Sequence, residues 1–329
     1  MTANGTSTKF LVGIISQYFI DQAGMAILAK RCPSASFVLI ECTDLSLERL
    51  KNLDILIADP DDVFKYICQL PKLKWLQSTY AGVENVVKQM RQDKPTFVVT
   101  RLGGVFGPHL AEYVIGHVIA REKKFSLSRK CQQTRTWGAY ETFMYRPLSE
   151  LTIGILGFGD IGKEIAKCCK SMKMTVNIVH RTVPATKCSF VDQSFSTEEL
   201  PEFLQQCDYI CNVLPSTPST RGLLSGNILE NCKERKAVLI NIGRGDVISC
   251  DSILNALNNQ WISCAILDVF KEEPLPNDSA LWTHPQVTIT PHIAGLNKTN
   301  QVIDSFMRNF ELFKEEKPMK YVVDWNKGY

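Results

Sequence analysis

Arg244, Glu273 and His292 are the residues with which this chain could do chemistry. Each sits just past an apolar run, in Asn241-Ile242-Gly243-Arg244-Gly245, Asp268-Val269-Phe270-Lys271-Glu272-Glu273-Pro274-Leu275-Pro276 and Thr290-Pro291-His292-Ile293-Ala294-Gly295. Upstream lies a glycine fingerprint, Gly157-Phe158-Gly159-Asp160-Ile161-Gly162, which follows an apolar run and opens a helical pattern at Ile161, Ile165, Ala166 and Cys169. Spaced glycines permit a tight turn and a close approach of backbone to pyrophosphate, and the helix N-terminus adds unpaired N–H groups. The strand before and the helix after separate this reading from an ordinary glycine turn. A guanidinium can grip a carboxylate or keto oxygen in its fork and polarise the carbonyl. Imidazolium is the side chain best matched to giving a proton near neutral pH. A carboxylate on its other ring nitrogen orients the ring and favours the charged form. Beside a dinucleotide, the three suit reduction of a 2-keto acid, with hydride from a nicotinamide and a proton from His292.

These motifs agree in residue type, order and spacing with the D-isomer-specific 2-hydroxyacid dehydrogenase family, which the chain resembles from about Leu73 to Phe313. The resemblance implies catalytic roles for Arg244, Glu273 and His292. It selects Glu273 over Glu272 because the family's acid directly precedes Pro-Leu-Pro. It implies cofactor contacts from Gly157, Phe158, Gly159, Asp160, Ile161 and Gly162. Further contacts are implied at Ile242, Gly243, Arg244, Asp268, His292 and Gly295. The segment from Asn212 to Gly222 resembles the loop that runs under the cofactor, which assigns contacts to Leu214 and Pro215 with help from Thr220; read alone, it is a Pro/Ser/Thr turn. Ser78 to Asn85 resembles a loop whose backbone N–H groups grip the substrate carboxylate, which assigns Tyr80, Ala81 and Gly82. Small residues let a ligand approach the backbone there, although a glycine turn into a helix reads similarly. Arg101 joins the substrate residues beside Arg244 and His292, and Trp137 resembles a position that covers the substrate of a neighbouring subunit. A homodimer through the cofactor domain is implied as well.

The second strand of the cofactor block ends His180-Arg181-Thr182, about twenty residues past the glycines. An acidic residue there would bind the ribose hydroxyls of NAD and repel a 2′-phosphate. The chain instead offers a guanidinium and a hydroxyl, so NADPH is expected ahead of NADH, with contacts from His180, Arg181 and Thr182.

Positioning these groups requires parallel sheets. Lys9 to Ser16, Phe37 to Glu41, Asp54 to Ala58, Leu73 to Ser78 and Phe97 to Thr100 are short runs rich in β-branched and large apolar residues, separated by turns or helical patterns. Such alternation implies a parallel sheet with helices on both faces. A long helical pattern runs from near Pro108 to about Ser126, and the polar stretch Gln132 to Glu150 follows. A second strand–helix series then starts at Leu151 to Leu156, with strands at Thr175 to Val179, Tyr209 to Val213, Ala237 to Asn241, Cys264 to Leu267 and Val287 to Thr290. Thr299 to Phe313 reads as a helix. The fingerprint arrives mid-chain, so a whole domain precedes it. The expected fold is α/β with two doubly wound parallel-sheet domains. The resemblance makes the cofactor domain, 109–296, a Rossmann fold inserted in a flavodoxin-like substrate domain, 1–108 and 297–329, with the catalytic residues in a cleft that hinge closure can dry.

At 329 residues the chain is long for one hydrophobic core. A composition of 45% hydrophobic and 22% charged residues is that of an ordinary soluble protein, and a net charge of +3 is too small to argue for nucleic acid or an acidic membrane as partner. Twelve scattered cysteines without a CxxC pair read as free thiols, with Cys207 and Cys211 along a buried strand. No segment reaches the ~18 apolar residues needed to cross a bilayer, and no leader is recognisable, so the cytoplasm is expected. No residue cluster calls for a metal. Two rivals share the resemblance. Corepressors of the C-terminal-binding-protein type keep the triad and act as nucleotide-sensing scaffolds, but they often carry long disordered tails. Among sister enzymes, many phosphoglycerate dehydrogenases add a regulatory domain, and formate dehydrogenases place glutamine where this chain has Glu273.

Overall fold

A strand buried on both faces must lie inside a helix-covered sheet, and the apolar runs of this chain form two such sheets. The structure, a computed structural model, describes residues 9–15, 20–89, 95–180 and 188–328. In the first sheet β1 (Phe10–Ile15), β2 (Ala35–Leu39), β3 (Ile55–Ala58), β4 (Trp75–Ser78) and β5 (Val98–Thr100) pair in parallel in the order β2-β1-β3-β4-β5. That is the flavodoxin-like order. Every residue of β3 and β4 is buried.

This unit comprises Met1–Val105 together with Asn297–Tyr329. The last helix, Thr299–Lys314, returns to it through aromatic contacts. Phe306 stacks on Trp75 with ring centres 5.1 Å apart, and Phe310 and Phe313 meet Phe10 edge-on. Each such pair contributes about 0.5–1.5 kcal/mol beyond its buried area. The fully buried Asn309 donates to the Lys320 carbonyl and accepts from the Lys320 N–H.

The second unit, Phe106–Leu296, holds β6 (Thr152–Leu156), β7 (Thr175–Val179), β8 (Gln193–Phe195), β9 (Tyr209–Asn212), β10 (Val238–Asn241), β11 (Cys264–Leu267) and β12 (Val287–Ile289). Their order is β12-β11-β10-β9-β6-β7-β8, the Rossmann arrangement with one strand more. The register decides where chemistry can occur. Leu156 pairs with Asn212, Asn212 with Asn241, Asn241 with Leu267, and Leu267 with Ile289. All five strands therefore end in one row, and the loops leaving that row carry Gly157, Leu214, Arg244, Glu273 and His292.

The structure departs from the sequence reading in two places. Edge strand β8 has no apolar run to announce it, since only Phe195 of its three residues is buried. The helix expected to reach Ser126 stops at Glu122, and a separate helix, Phe125–Gln133, follows a left-handed Lys124 at φ 53°. The break falls where burial gives way to ion pairing. Glu122 is nearly buried and accepts from Arg146 and from the Tyr209 hydroxyl, both at 2.7 Å, while Arg146 also reaches Asp208 at 2.9 Å. Arg146 lies in the polar stretch and thereby ties it to the core. Cys207 and Cys211 are fully buried, which pushes both thiols well above their ordinary pKa. No helix among the described residues is long and apolar enough to cross a membrane.

Candidate active site

The glycine turn forms as its spacing requires. Gly157 adopts φ 102°, which favours glycine, and a Cβ at Gly162 would overlap the Gly157 carbonyl. Gly159 faces open space, with no described residue within 4 Å of where a Cβ would sit, and the helix Asp160–Ser171 begins immediately after it. Phe158 and Ile161 are half-buried beside it and Asp160 is exposed. A pyrophosphate fits this geometry: close backbone, open space and the positive end of a helix.

The next two loops are locked by an asparagine pair at the strand ends, which the sequence reading did not single out. Asn212 donates to Asn241 at 2.8 Å, and both side chains also accept from the loops they face, at Leu214 N and Gly243 N. Their signal was present in the sequence as a polar residue closing each of two apolar strands. Leu214 and Pro215 follow Asn212 and are half-buried, while the Thr220 hydroxyl donates to the Pro215 carbonyl at 2.6 Å and so closes the loop. A Cβ at Gly243 would crowd Leu214 N and O at 2.9 and 2.8 Å, and one at Gly245 would overlap the backbone of Phe270. The two glycines flanking Arg244 therefore let its turn sit between neighbouring loops, with Ile242 buried behind it. The Arg244 Nη1 donates to the Gly243 carbonyl at 2.8 Å, which orients the guanidinium.

Glu273 and His292 meet directly. Glu273 Oε2 lies 2.7 Å from His292 Nδ1, and its Oε1 accepts the Phe270 N–H at 2.7 Å. With Nδ1 engaged by the carboxylate, Nε2 is the nitrogen left to face a ligand. The hydrogen bond that His292 donates to Glu273 raises the imidazole pKa above its ordinary value, against burial and the nearby charge of Arg244. Burial opposes ionisation of Glu273, but the hydrogen bonds from His292 and Phe270, with the charges of His292 and Arg244, outweigh it and hold the carboxyl below its usual range. The charge of Arg244 thus acts on both partners.

Asp268, expected among the cofactor contacts, is 2% exposed and committed to the His292 turn. Its backbone carbonyl accepts His292 N–H at 2.9 Å, Oδ1 accepts Ile293 N–H at 2.9 Å, and Oδ2 accepts Ala294 N–H at 3.0 Å. Three successive N–H groups converge on one residue and hold His292 in the left-handed region at φ 55°, which costs a non-glycine residue. Gly295 follows, where a Cβ would lie 2.9 Å from Leu110.

His180 closes β7, and its ring nitrogens are buried with no hydrogen-bond partner among the described residues. Arg181 and Thr182 lie outside the described residues. In the first unit Tyr80, Ala81 and Gly82 leave β4, and Arg101 leaves β5, at the same edge of their own sheet. Leu102 N–H donates to the Tyr80 carbonyl at 2.9 Å, joining the two loops. Trp137 is fully exposed.

Residues 115–294 match the family model described as D-isomer specific 2-hydroxyacid dehydrogenase, NAD binding domain. The chain belongs to that family. A D-isomer-specific 2-hydroxyacid dehydrogenase family protein from Aeromonas salmonicida subsp. salmonicida is 31% identical with a TM-score of 0.84, over 97% of this chain and 99% of that one. A D-isomer-specific 2-hydroxyacid dehydrogenase from Xanthobacter autotrophicus, solved with NADPH and MES, is 27% identical with a TM-score of 0.84, over 98% of this chain and all of that one. An NADPH-dependent glyoxylate/hydroxypyruvate reductase from Sinorhizobium meliloti, solved with NADP and sulfate, shares the fold at 24% identity and a TM-score of 0.82, covering 98% and 100% of the two chains. As a member of the D-isomer-specific 2-hydroxyacid dehydrogenase family, the protein is an oxidoreductase with an NAD-binding domain.

Proposed function

We propose that this dehydrogenase reduces a small 2-keto acid to the D-2-hydroxy acid, with NADPH preferred over NADH and with glyoxylate and hydroxypyruvate as leading substrates. The observation that carries the reading is the His292–Glu273 pair under the influence of Arg244. The glycine turn and the Leu214–Thr220 loop would hold the dinucleotide, which when bound supplies the hydride. Arg244 grips the carboxylate and keto oxygen and draws charge from the carbonyl. His292 gives the proton from Nε2 to that oxygen, so that no free alkoxide accumulates. Glu273 keeps the ring charged and aimed. The shared position of Tyr80, Ala81, Gly82 and Arg101 at the ligand-binding edge of their own sheet supports a substrate role for them. The two named substrates follow from the family resemblance and are those in the name of the Sinorhizobium reductase.

NADPH preference rests on the guanidinium of Arg181 and is supported by the NADPH-bound Xanthobacter relative. A charged hydrogen bond of about 1.5–3 kcal/mol corresponds to roughly tenfold to a hundredfold in affinity. Arg181→Asp should raise the NADPH KM by that factor and leave NADH less affected. A keto-acid panel assayed with both cofactors on wild type and this variant tests the whole reading. Steady turnover with neither cofactor, or wild-type preference for NADH, would remove it in whole or in part.

We also propose that a second copy of the chain covers the exposed large apolar residues Phe125, Trp137, Tyr140, Met144 and Tyr145, all at least half exposed. Light scattering should return about twice the 37.1 kDa of one chain, and a monomer mass would refute the dimer.

A further inference from the structure

Behind His292 the structure holds a line of three side chains, Asp268, Thr290 and Tyr113. Thr290 Oγ1 lies 2.5 Å from Asp268 Oδ1, and the Tyr113 hydroxyl lies 2.8 Å from Thr290 Oγ1. The carboxylate only accepts, so the single hydroxyl proton of Thr290 goes to Asp268 and Tyr113 must donate to Thr290. Donation thus runs from Tyr113 through Thr290 to Asp268, whose carboxylate also accepts the N–H groups of Ile293 and Ala294. Tyr113 stands on the helix Gly107–Glu122, and the His117 ring packs on it at 4.4 Å one turn later. Burial pushes the Tyr113 hydroxyl up to about 12, so it stays a donor throughout the working range. Burial likewise lowers His117, which favours a neutral ring against Tyr113.

We infer that Tyr113 and Thr290 are positioning residues for the proton donor: they fix the Asp268 carboxylate, which fixes the left-handed His292 turn and so the aim of Nε2. The inference rests on the proposed acid role of His292. Positioning matters because the reacting atoms must meet within a few tenths of an ångström, and a small misplacement from outside the site can cost about a hundredfold.

The test is steady-state keto-acid reduction and thermal melting of the wild type and of Tyr113→Phe, Thr290→Val, Thr290→Ser, the Phe/Val double variant and His292→Ala. Thr290→Val should lower kcat by up to ~10²-fold and Tyr113→Phe by about tenfold, with both KM values within about twofold of wild type. Thr290→Ser, which keeps the hydroxyl, should restore most of the turnover. The double variant should be no worse than Thr290→Val alone, since both cut one line. Unchanged kcat in both single variants would overturn the inference, as would loss of melting temperature with both KM values rising together, or effects that multiply in the double variant. His292→Ala separates the two levels: if it loses turnover while Tyr113→Phe and Thr290→Val do not, only the positioning claim fails. If His292→Ala itself turns over normally, the acid role falls and the inference with it.

Discussion

Replacing His292 with alanine should lower kcat for keto-acid reduction about a hundred- to ten-thousand-fold, the range a positioned acid contributes. Cofactor binding, read by fluorescence titration, should change little, because the glycine turn that would hold the pyrophosphate lies after another strand. The loss should appear in kcat and kcat/KM alike, since the proton is needed only as the carbonyl gains charge. An alanine variant that keeps wild-type turnover would show that water or another group supplies the proton. Among the remaining histidines, His117 packs on Tyr113 in the middle of a helix and His180 closes β7.

Arg244→Lys should be nearly as damaging although it keeps the charge. Removing one positioned donor from a developing oxyanion costs roughly 10²–10³-fold in rate. An ammonium on a flexible stem cannot reproduce a planar fork gripping carboxylate and carbonyl together, and it loses the guanidinium's own anchor to the Gly243 carbonyl. The keto-acid KM should rise and kcat should fall together, which steady-state kinetics at saturating NADPH will show. Wild-type efficiency in the lysine variant would mean that only bulk positive charge matters at this position. The Leu214 and Phe270 backbones already occupy the space a Cβ at Gly243 or Gly245 would need, so the turn that carries Arg244 is closely packed.

The parts legible in the sequence were those whose physics is local. Strand–turn–glycine–helix chemistry announces itself in consecutive residues, and apolar runs buried on both faces are visible without coordinates. Two doubly wound parallel sheets could be expected because strands and helices alternate twice, with the fingerprint arriving mid-chain. The parts that escaped depend on register. Asn212 and Asn241 become partners only when β9 and β10 lie side by side. The bonds that the Asp268 carboxylate accepts from a turn more than twenty residues downstream are likewise invisible in the sequence. Thr290 and Tyr113 are far apart along the chain, and no periodicity links them. Strand β8 escaped for a different reason: an edge strand buries one residue in three and so lacks the apolar signal. Lys124 ended a helix that apolar spacing alone would have continued.

The pH dependence of kcat/KM for glyoxylate reduction by NADPH, in wild type and Glu273→Gln, tests the proton-donor assignment most directly. Reduction needs His292 protonated, so activity is full below its pKa and falls as pH rises through it. Glu273 raises that pKa, so the wild type should hold activity to higher pH. In the glutamine variant the falling limb should move to lower pH, with a lower plateau as the ring loses its aim. Coincident falling limbs in the two proteins, or a limb displaced to higher pH in Glu273→Gln, would contradict a carboxylate-supported imidazolium as the acid.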